Sequence, residues 1–82
     1  MASLQYVIDS ICSSVSEKFM YQLIEGQLGK GSFTVDEVLP LIQGKDRSLD
    51  SGSARMLAEA AIEEMAERGD LTTENEHIYP VK

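Results

Sequence analysis

The sequence has 82 residues, a formal net charge of −7, one cysteine and 43% hydrophobic residues. This length limits the chain to one small domain with a thin core, and the hydrophobic content is too high for a disordered protein. The negative charge disfavours nucleic acid and anionic lipid as partners, and a single cysteine excludes an intramolecular disulfide and a thiolate-rich zinc site.

The first 28 residues carry an apolar stripe at helical spacing. The stripe consists of Leu4, Ile8, Ile11, Val15, Phe19 and Leu23. Ser14 and Glu17 have the spacing of a capping box, so residues 2–28 form either one helix or two helices with a break near residue 14. Gly29 and Gly31 are expected to end this segment in left-handed conformations.

The N-terminal part of the stripe has more apolar side chains than a small three-helix core needs. The surplus lies at Leu4, Val7, Ile8 and Ile11. Two explanations stay open, since these side chains either cover the domain's own core or meet a second copy of the chain. The second explanation makes them the dimerisation residues of a homodimer.

The stretch FTVDEVLPLI predicts a short second helix. Thr34 is the expected N-cap, and Glu37 stands three residues later, as in a capping box. Because Pro40 lacks an amide hydrogen and clashes with the preceding turn, we expect this helix to bend or end near residue 39. The polar, turn-rich stretch QGKDRSLDSGS follows as a loop.

A third helix and a hairpin are predicted for the C-terminal part. The helix begins between residues 50 and 54 and stops at Gly69, and its buried stripe contains Leu57, Ala61 and Met65. The segments DLTT and HIYPV predict two short strands on either side of the polar tip ENE. Pro80 is expected to keep the second strand at a sheet edge.

Together these patterns resemble the winged-helix superfamily. The resemblance is carried by TVDEVLPLI as the short second helix, AIEEMAERGDL as the third helix ending at a glycine, and DLTTENEHIYPV as a hairpin wing. It implies a mainly α fold with a small β-hairpin (α+β), namely a three-helix domain with a C-terminal wing. Residues 1–14 are then an N-terminal helix or helix extension, and residues 15–82 are the winged-helix-like domain.

The surface that reads DNA in this superfamily is acidic in this chain. The resemblance implies that the third helix enters the major groove and that the wing touches the DNA backbone. Residues 59–82 instead hold seven acidic residues against two basic ones, a net charge of −5. Such a surface repels phosphates, so we expect it to bind a basic protein surface or to mimic nucleic acid. The expected contact residues are Arg55, Met56, Glu59, Glu63, Glu74 and Glu76. Ala60 is also expected to face outward on the third helix.

Three features resemble metal-binding or catalytic sites, but each lacks residues that such a site needs. His77 has carboxylates nearby, but strand alternation separates neighbours, whereas a metal needs several converging ligands. The stretch DRSLDSGSARML begins like a calcium loop but lacks the turn glycine and the final glutamate. Cys12 lies in the apolar stripe, which predicts a buried, inert thiol. The sequence therefore predicts a non-enzyme without a metal or cofactor.

One local positive cluster supports a different function, direct DNA binding. Lys45, Arg47 and Arg55 stand before and at the start of the third helix, where they could seat a phosphate at the helix N-terminus. A solvated loop is the commoner meaning of such a cluster. A second alternative is a structural subunit that folds only within a larger complex.

The sequence thus favours a non-catalytic, acidic winged-helix interaction module, a regulator or adaptor of a transcription or nucleic-acid machine. Its expected partner is a protein with a basic surface, homodimerisation stays open, and nucleic acid is the less favoured ligand. The N-terminus lacks a basic leader, and no run of about 18 apolar residues occurs, so we expect a cytoplasmic protein without a membrane span.

Overall fold

The structure, a computed structural model, describes residues 3–81. In chain order, the elements are α1 (Leu4–Ser10), α2 (Glu17–Leu28), β1 (Phe33–Thr34), α3 (Val35–Lys45), α4 (Ser51–Glu67), β2 (Leu71–Glu74) and β3 (His77–Pro80). The expected class is confirmed, since the chain is mainly helical with one small antiparallel sheet of three strands. Within residues 3–81, no helix has the length and apolar composition needed to cross a membrane.

The N-terminal apolar stripe is divided between α1 and α2. The hydroxyl of Ser3 caps α1 by accepting the backbone N–H of Tyr6 at 3.1 Å. The hydroxyl of Ser16 caps α2 by accepting the backbone N–H of Phe19 at 3.1 Å. Each cap satisfies an amide that has no partner inside its helix. The break is therefore present, but Ser16 caps the second helix, rather than Ser14.

Cys12 lies in the turn between α1 and α2, and it is exposed. Its φ angle of +54° is left-handed, so the helical stripe does not continue through this position. The prediction of a buried thiol is wrong for that reason. At the end of α2, Gly31 adopts the expected left-handed conformation with φ of +118°, whereas Gly29 stays in the right-handed helical region.

The predicted starts of α3 and α4 are confirmed by their caps. Thr34 is the N-cap of α3, and the carboxylate of Glu37 accepts the backbone N–H of Thr34 at 2.7 Å. Asp50 is the N-cap of α4, and its carboxylate accepts the backbone N–H of Ser53 at 2.7 Å. The chain leaves α4 through Gly69, whose φ angle is +83°.

Pro40 does not end α3, which continues to Lys45. The proline removes one helical hydrogen bond, to the carbonyl of Asp36, but both residues are exposed and water can solvate that carbonyl. The next turn carries Ile42, which is fully buried. Of the two outcomes expected near residue 39, a bend or an end, the end is therefore wrong, because burial of the second half of α3 outweighs the lost bond.

The predicted C-terminal hairpin is present, and β1 adds a third strand that the sequence did not indicate. The strand order is β1-β3-β2, with Leu71 opposite Pro80 and Phe33 opposite Ile78. The second strand of the hairpin is thus central, and the expectation that Pro80 marks an edge strand is wrong. The proline is tolerated because β1 has only two residues and begins opposite Ile78, so nothing pairs with Pro80 on that side.

All four helices and the sheet contribute to one core. The large side chains with less than 2% exposure include Leu4, Met20, Ile24, Ile42, Leu57, Met65, Leu71 and Ile78. The central element is α4, which packs against α1, α2, α3 and β2. Its remaining face reaches solvent beside the hairpin.

Asp46 connects two loops of the fold. Its carboxylate accepts the hydroxyl and the backbone N–H of Ser48 at 2.6 and 3.1 Å. It also accepts the backbone N–H of Ser14 at 2.9 Å and the hydroxyl of Ser13 at 3.2 Å. The hydroxyl of Ser48, followed by the amide of Ser14, holds the pKa of Asp46 well below its usual range. The first residue of the calcium-like stretch therefore has a structural role.

Candidate functional site

A concave surface of about 500 Å³ lies between α4, the first turn of α3 and the tip of the β2–β3 hairpin. We call it the acidic groove. It is lined by Thr34, Val35, Asp36, Arg55, Glu59, Ile62, Glu63 and residues 73–78. Its apolar lining comes from Val35, Ile62 and Ile78, and both isoleucines are buried.

The charged side chains of the acidic groove are five carboxylates and one guanidinium. The carboxylates belong to Asp36, Glu59, Glu63, Glu74 and Glu76, all of which are exposed. The guanidinium belongs to Arg55, so the net formal charge of the lining is −4 with the imidazole neutral. This potential attracts cationic groups and repels phosphates.

Helical spacing explains why the residues of α4 meet at the acidic groove. Arg55, Glu59 and Glu63 are four residues apart, so they follow one stripe along the helix. The expectation that Ala60 also faces outward is wrong, since it is only 5% exposed. It stands three residues after the buried Leu57 and therefore shares its face.

The turn of the hairpin carries the remaining carboxylates to the rim of the acidic groove. Asn75 and Glu76 have positive φ angles of +49° and +68°. Two successive left-handed residues are typical of a type I′ turn, which matches the twist of the flanking strands. The short turn keeps Glu74 and Glu76 next to the outward face of α4, where both line the groove.

The structure brings together five of the six residues expected to contact a partner. These are Arg55, Glu59, Glu63, Glu74 and Glu76. Met56 is 48% exposed but does not line the acidic groove. The five residues thus lie on one concave surface, and Met56 lies outside it.

Arg55 is paired with a carboxylate of the same chain. Its guanidinium donates a hydrogen bond to the carboxylate of Asp36, in the first turn of α3. The side chains are 42% and 75% exposed, respectively. An ion pair with this much exposure contributes about 0–1 kcal/mol to stability, so it is easily broken.

The three basic residues of the DNA-binding alternative do not form one cluster. Arg55 lies beside Asp36 at the start of α3, whereas Lys45 is the last residue of α3, roughly 13 Å further along the helix axis. The ammonium of Lys45 lies 5.5 Å from the ring centre of Phe19 in α2. Arg47 is exposed in the next loop. Lys45, Arg47 and Arg55 are therefore close in sequence but do not form one phosphate-binding site.

His77 lines the acidic groove from the hairpin. Its Nδ1 lies 3.1 Å from the carbonyl oxygen of Asn75, and its ring stacks on Tyr79 with 6.2 Å between the ring centres. In the part of the chain that the structure describes, residues 3–81, no three His, Cys, Asp or Glu side chains are arranged to hold a metal ion. The contacts of the imidazole are those of an exposed hairpin residue.

Glu64 has a structural role that no local sequence signal indicates. Its carboxylate accepts the backbone N–H of Leu4 at 2.9 Å and the hydroxyl of Tyr21. This hydroxyl bond, together with partial burial, raises the pKa of Tyr21 to about 12. The bond from Tyr21, followed by the one from Leu4, lowers the pKa of Glu64. Glu64 therefore ties α1 and α2 to α4 and is not part of the acidic groove.

The residues assigned to a homodimer lie largely in the protein's own core. Leu4, Val7 and Ile8 are 0%, 6% and 5% exposed, and α1 packs on α4. Ile11 is partly buried against the same core. The dimerisation assignment is wrong for Leu4, Val7 and Ile8, because the chain itself covers these side chains.

The acidic groove combines a concave shape, an apolar lining and a charged rim of mainly one sign. Such a surface is complementary in charge to cationic groups. No model of a known protein family, no curated protein and no solved structure matches the chain. The function must therefore be inferred from the groove itself.

Proposed function

We propose that the protein is a non-catalytic interaction module whose acidic groove binds a basic segment of another protein. One observation carries this proposal, namely the convergence of Glu59 and Glu63 from α4 with Glu74 and Glu76 from the hairpin. These residues come from different elements, so only the fold unites their charges. The apolar lining suits a segment in which basic side chains flank an apolar one.

The proposal includes a winged-helix architecture. The order of elements supports it, because a short α3 is followed by the packed α4, a glycine exit and a hairpin. By resemblance, α4 corresponds to the helix that enters the DNA groove, and the hairpin corresponds to the wing. Both elements line the acidic groove. The resemblance also suggests the setting, a regulator or adaptor of a transcription or nucleic-acid machine that acts through protein contacts.

The charges favour a protein partner over DNA. A DNA-binding protein must neutralise several phosphates with lysine or arginine side chains. The acidic groove offers one guanidinium, which is already paired, beside five carboxylates. Lys45 and Arg47 are exposed, but they lie toward the other end of α3.

Titration with a basic peptide tests the proposal. The probe is a short fluorescent peptide with arginine and lysine on both sides of a leucine, and binding is followed by anisotropy at near-physiological salt. Glu59→Lys with Glu63→Lys removes two attractive contacts and adds two repulsive ones. At about 0.5 kcal/mol for each exposed contact, the Kd increases roughly thirty-fold.

A matched variant separates the groove from the overall charge. Asp9→Lys with Glu25→Lys makes the same change in net charge, but both residues are exposed and neither lines the acidic groove. Salt screening limits their effect on the Kd to less than about three-fold. Equal losses in the two double variants, or no binding by the unmodified protein, contradict the proposal. Tight binding of duplex DNA that is lost on Arg47→Ala favours the DNA-binding alternative instead.

A further inference from the structure

The acidic groove contains a cationic side chain of the chain itself, that of Arg55. This residue projects from α4 in the same stripe as Glu59 and Glu63, and its guanidinium bridges to Asp36 on α3. The side chain of Ile62, seven residues along α4 from Arg55, also lines the groove. The chain thus places one of its own guanidinium groups among carboxylates.

We infer that Arg55 occupies the place of a partner's arginine, so that the acidic groove binds an arginine-bearing segment and Arg55 competes with it. The inference rests on the proposed function, because it names the chemistry of the partner for the same groove. When the partner binds, its guanidinium donates to Asp36 and the side chain of Arg55 turns into solvent.

The carboxylate of Asp36 distinguishes arginine from lysine. A guanidinium presents its donors in a planar fork that pairs with a carboxylate through two parallel hydrogen bonds. An ammonium is a compact and strongly hydrated charge, so it loses more hydration beside the apolar side chains of Val35 and Ile62. Peptides of equal charge therefore differ in affinity according to the type of their basic residue.

The bond between Arg55 and Asp36 is weak enough to be displaced. Arg55 is 42% exposed and Asp36 is 75% exposed, so water stabilises both side chains once they separate. A partner also reaches Glu59 and Glu63, which gives it contacts that Arg55 alone does not make. Competition by Arg55 therefore lowers the affinity several-fold and does not prevent binding.

Two peptides and two charge-matched variants test the inference. The probes are oligo-arginine and oligo-lysine peptides of equal length, titrated against the unmodified protein, Arg55→Gln and Arg47→Gln. Arg47 is exposed and does not line the acidic groove, so Arg47→Gln makes the same change in charge elsewhere. We expect Arg55→Gln to bind oligo-arginine about three- to five-fold more tightly, and Arg47→Gln to change the Kd less than about two-fold. Thermal unfolding checks that both variants are folded.

A second substitution locates the effect at Asp36. Asp36→Asn in the Arg55→Gln background is expected to cancel the gain and to remove the preference for oligo-arginine. The inference is overturned if Arg55→Gln binds no more tightly than Arg47→Gln, or if it binds both peptides equally. If the peptides bind but only this comparison fails, the proposed function survives. If neither peptide binds the unmodified protein or any variant, the proposed function and the inference both fail.

Discussion

Replacing Ile8 with alanine tests whether α1 is part of the fold of a single chain. Its side chain is 5% exposed and belongs to the core cluster. The substitution removes three carbon atoms, worth about 2.4 kcal/mol of transfer free energy, and the cavity left behind brings the loss to about 3 kcal/mol. A chain of this length has a free energy of unfolding of about 4–12 kcal/mol, so the loss is a large share.

Urea unfolding followed by circular dichroism measures this loss. The midpoint decreases while the slope stays the same, and the Tm falls by about 12–24 °C. Ile8→Val removes one carbon and is expected to cost about 1 kcal/mol. Tyr6 lies on the same helix but is 64% exposed, so Tyr6→Ala serves as the control, with a change below about 0.5 kcal/mol.

A homodimer formed through α1 predicts a different result for the same variants. The unfolding midpoint then increases with protein concentration, and Ile8→Ala acts by weakening association. A midpoint that depends on concentration refutes the placement of α1 in the core of a single chain. A loss below about 1 kcal/mol for Ile8→Ala refutes it as well.

Four further predictions concern the hydrogen bonds and the hairpin turn. The pKa of Tyr21 is raised from 10.0 to about 12, so its neutral hydroxyl stabilises the folded state. After allowance for solvent screening, this stabilisation adds about 1 kcal/mol to the free energy of unfolding. It is present below pH 10 and is lost as the pH rises toward 12. The pKa of Glu64 is lowered, so its ionised carboxylate stabilises the folded state. This contribution to the free energy of unfolding is present above the ordinary pKa of 4.5 and is lost at lower pH. Urea unfolding of Tyr21→Phe and Glu64→Gln across pH checks both, and profiles like that of the unmodified protein contradict them. Asp46→Asn leaves one acceptor oxygen in place of two, so we expect faster hydrogen exchange at the amide of Ser14, and unchanged protection there argues against this role. Glu76→Gly removes the strain of a side chain at a left-handed position with φ of +68°. We expect calorimetry to show a free energy of unfolding higher by about 0.5 kcal/mol, and basic peptides to bind more weakly. A lower Tm contradicts this account of the turn.

The helix starts and the hairpin could be predicted because their signals are local. Thr34 and Asp50 begin their helices with hydrogen bonds to partners only three residues away, the carboxylate of Glu37 and the backbone N–H of Ser53. The two short strand-forming segments on either side of the polar tip likewise indicate the hairpin without reference to the rest of the chain. Each of these interactions is complete within a few residues, so the sequence contains the whole signal.

The errors arise where distant segments decide the outcome. The strand β1 forms only because β3 pairs with it, and burial of the second half of α3 outweighs the effect of Pro40. Leu4 and Ile8 looked surplus because the sequence does not show how much of their surface α4 covers. The carboxylate of Glu64 is directed to a backbone amide 60 residues away, which no spacing rule predicts.

The candidate site could be predicted in part. The acidic stripe on α4 follows from helical spacing, and the acidic hairpin tip follows from the turn. Their meeting in one concave surface depends on how the hairpin packs beside α4. The pairing of Arg55 with Asp36 depends on the packing of α3 against α4, so the sequence grouped Arg55 with Lys45 and Arg47 instead.

The exposed thiol of Cys12 makes the protein convenient to handle. Because it is the chain's one cysteine, maleimide reagents attach a dye or a biotin at a single known atom without mutagenesis. Cys12 does not line the acidic groove, so a protein immobilised on a sensor through this thiol leaves the groove accessible to peptides. The same thiol can join two molecules on exposure to air, so measurements of molecular mass require a reductant if covalent pairs are not to be mistaken for association.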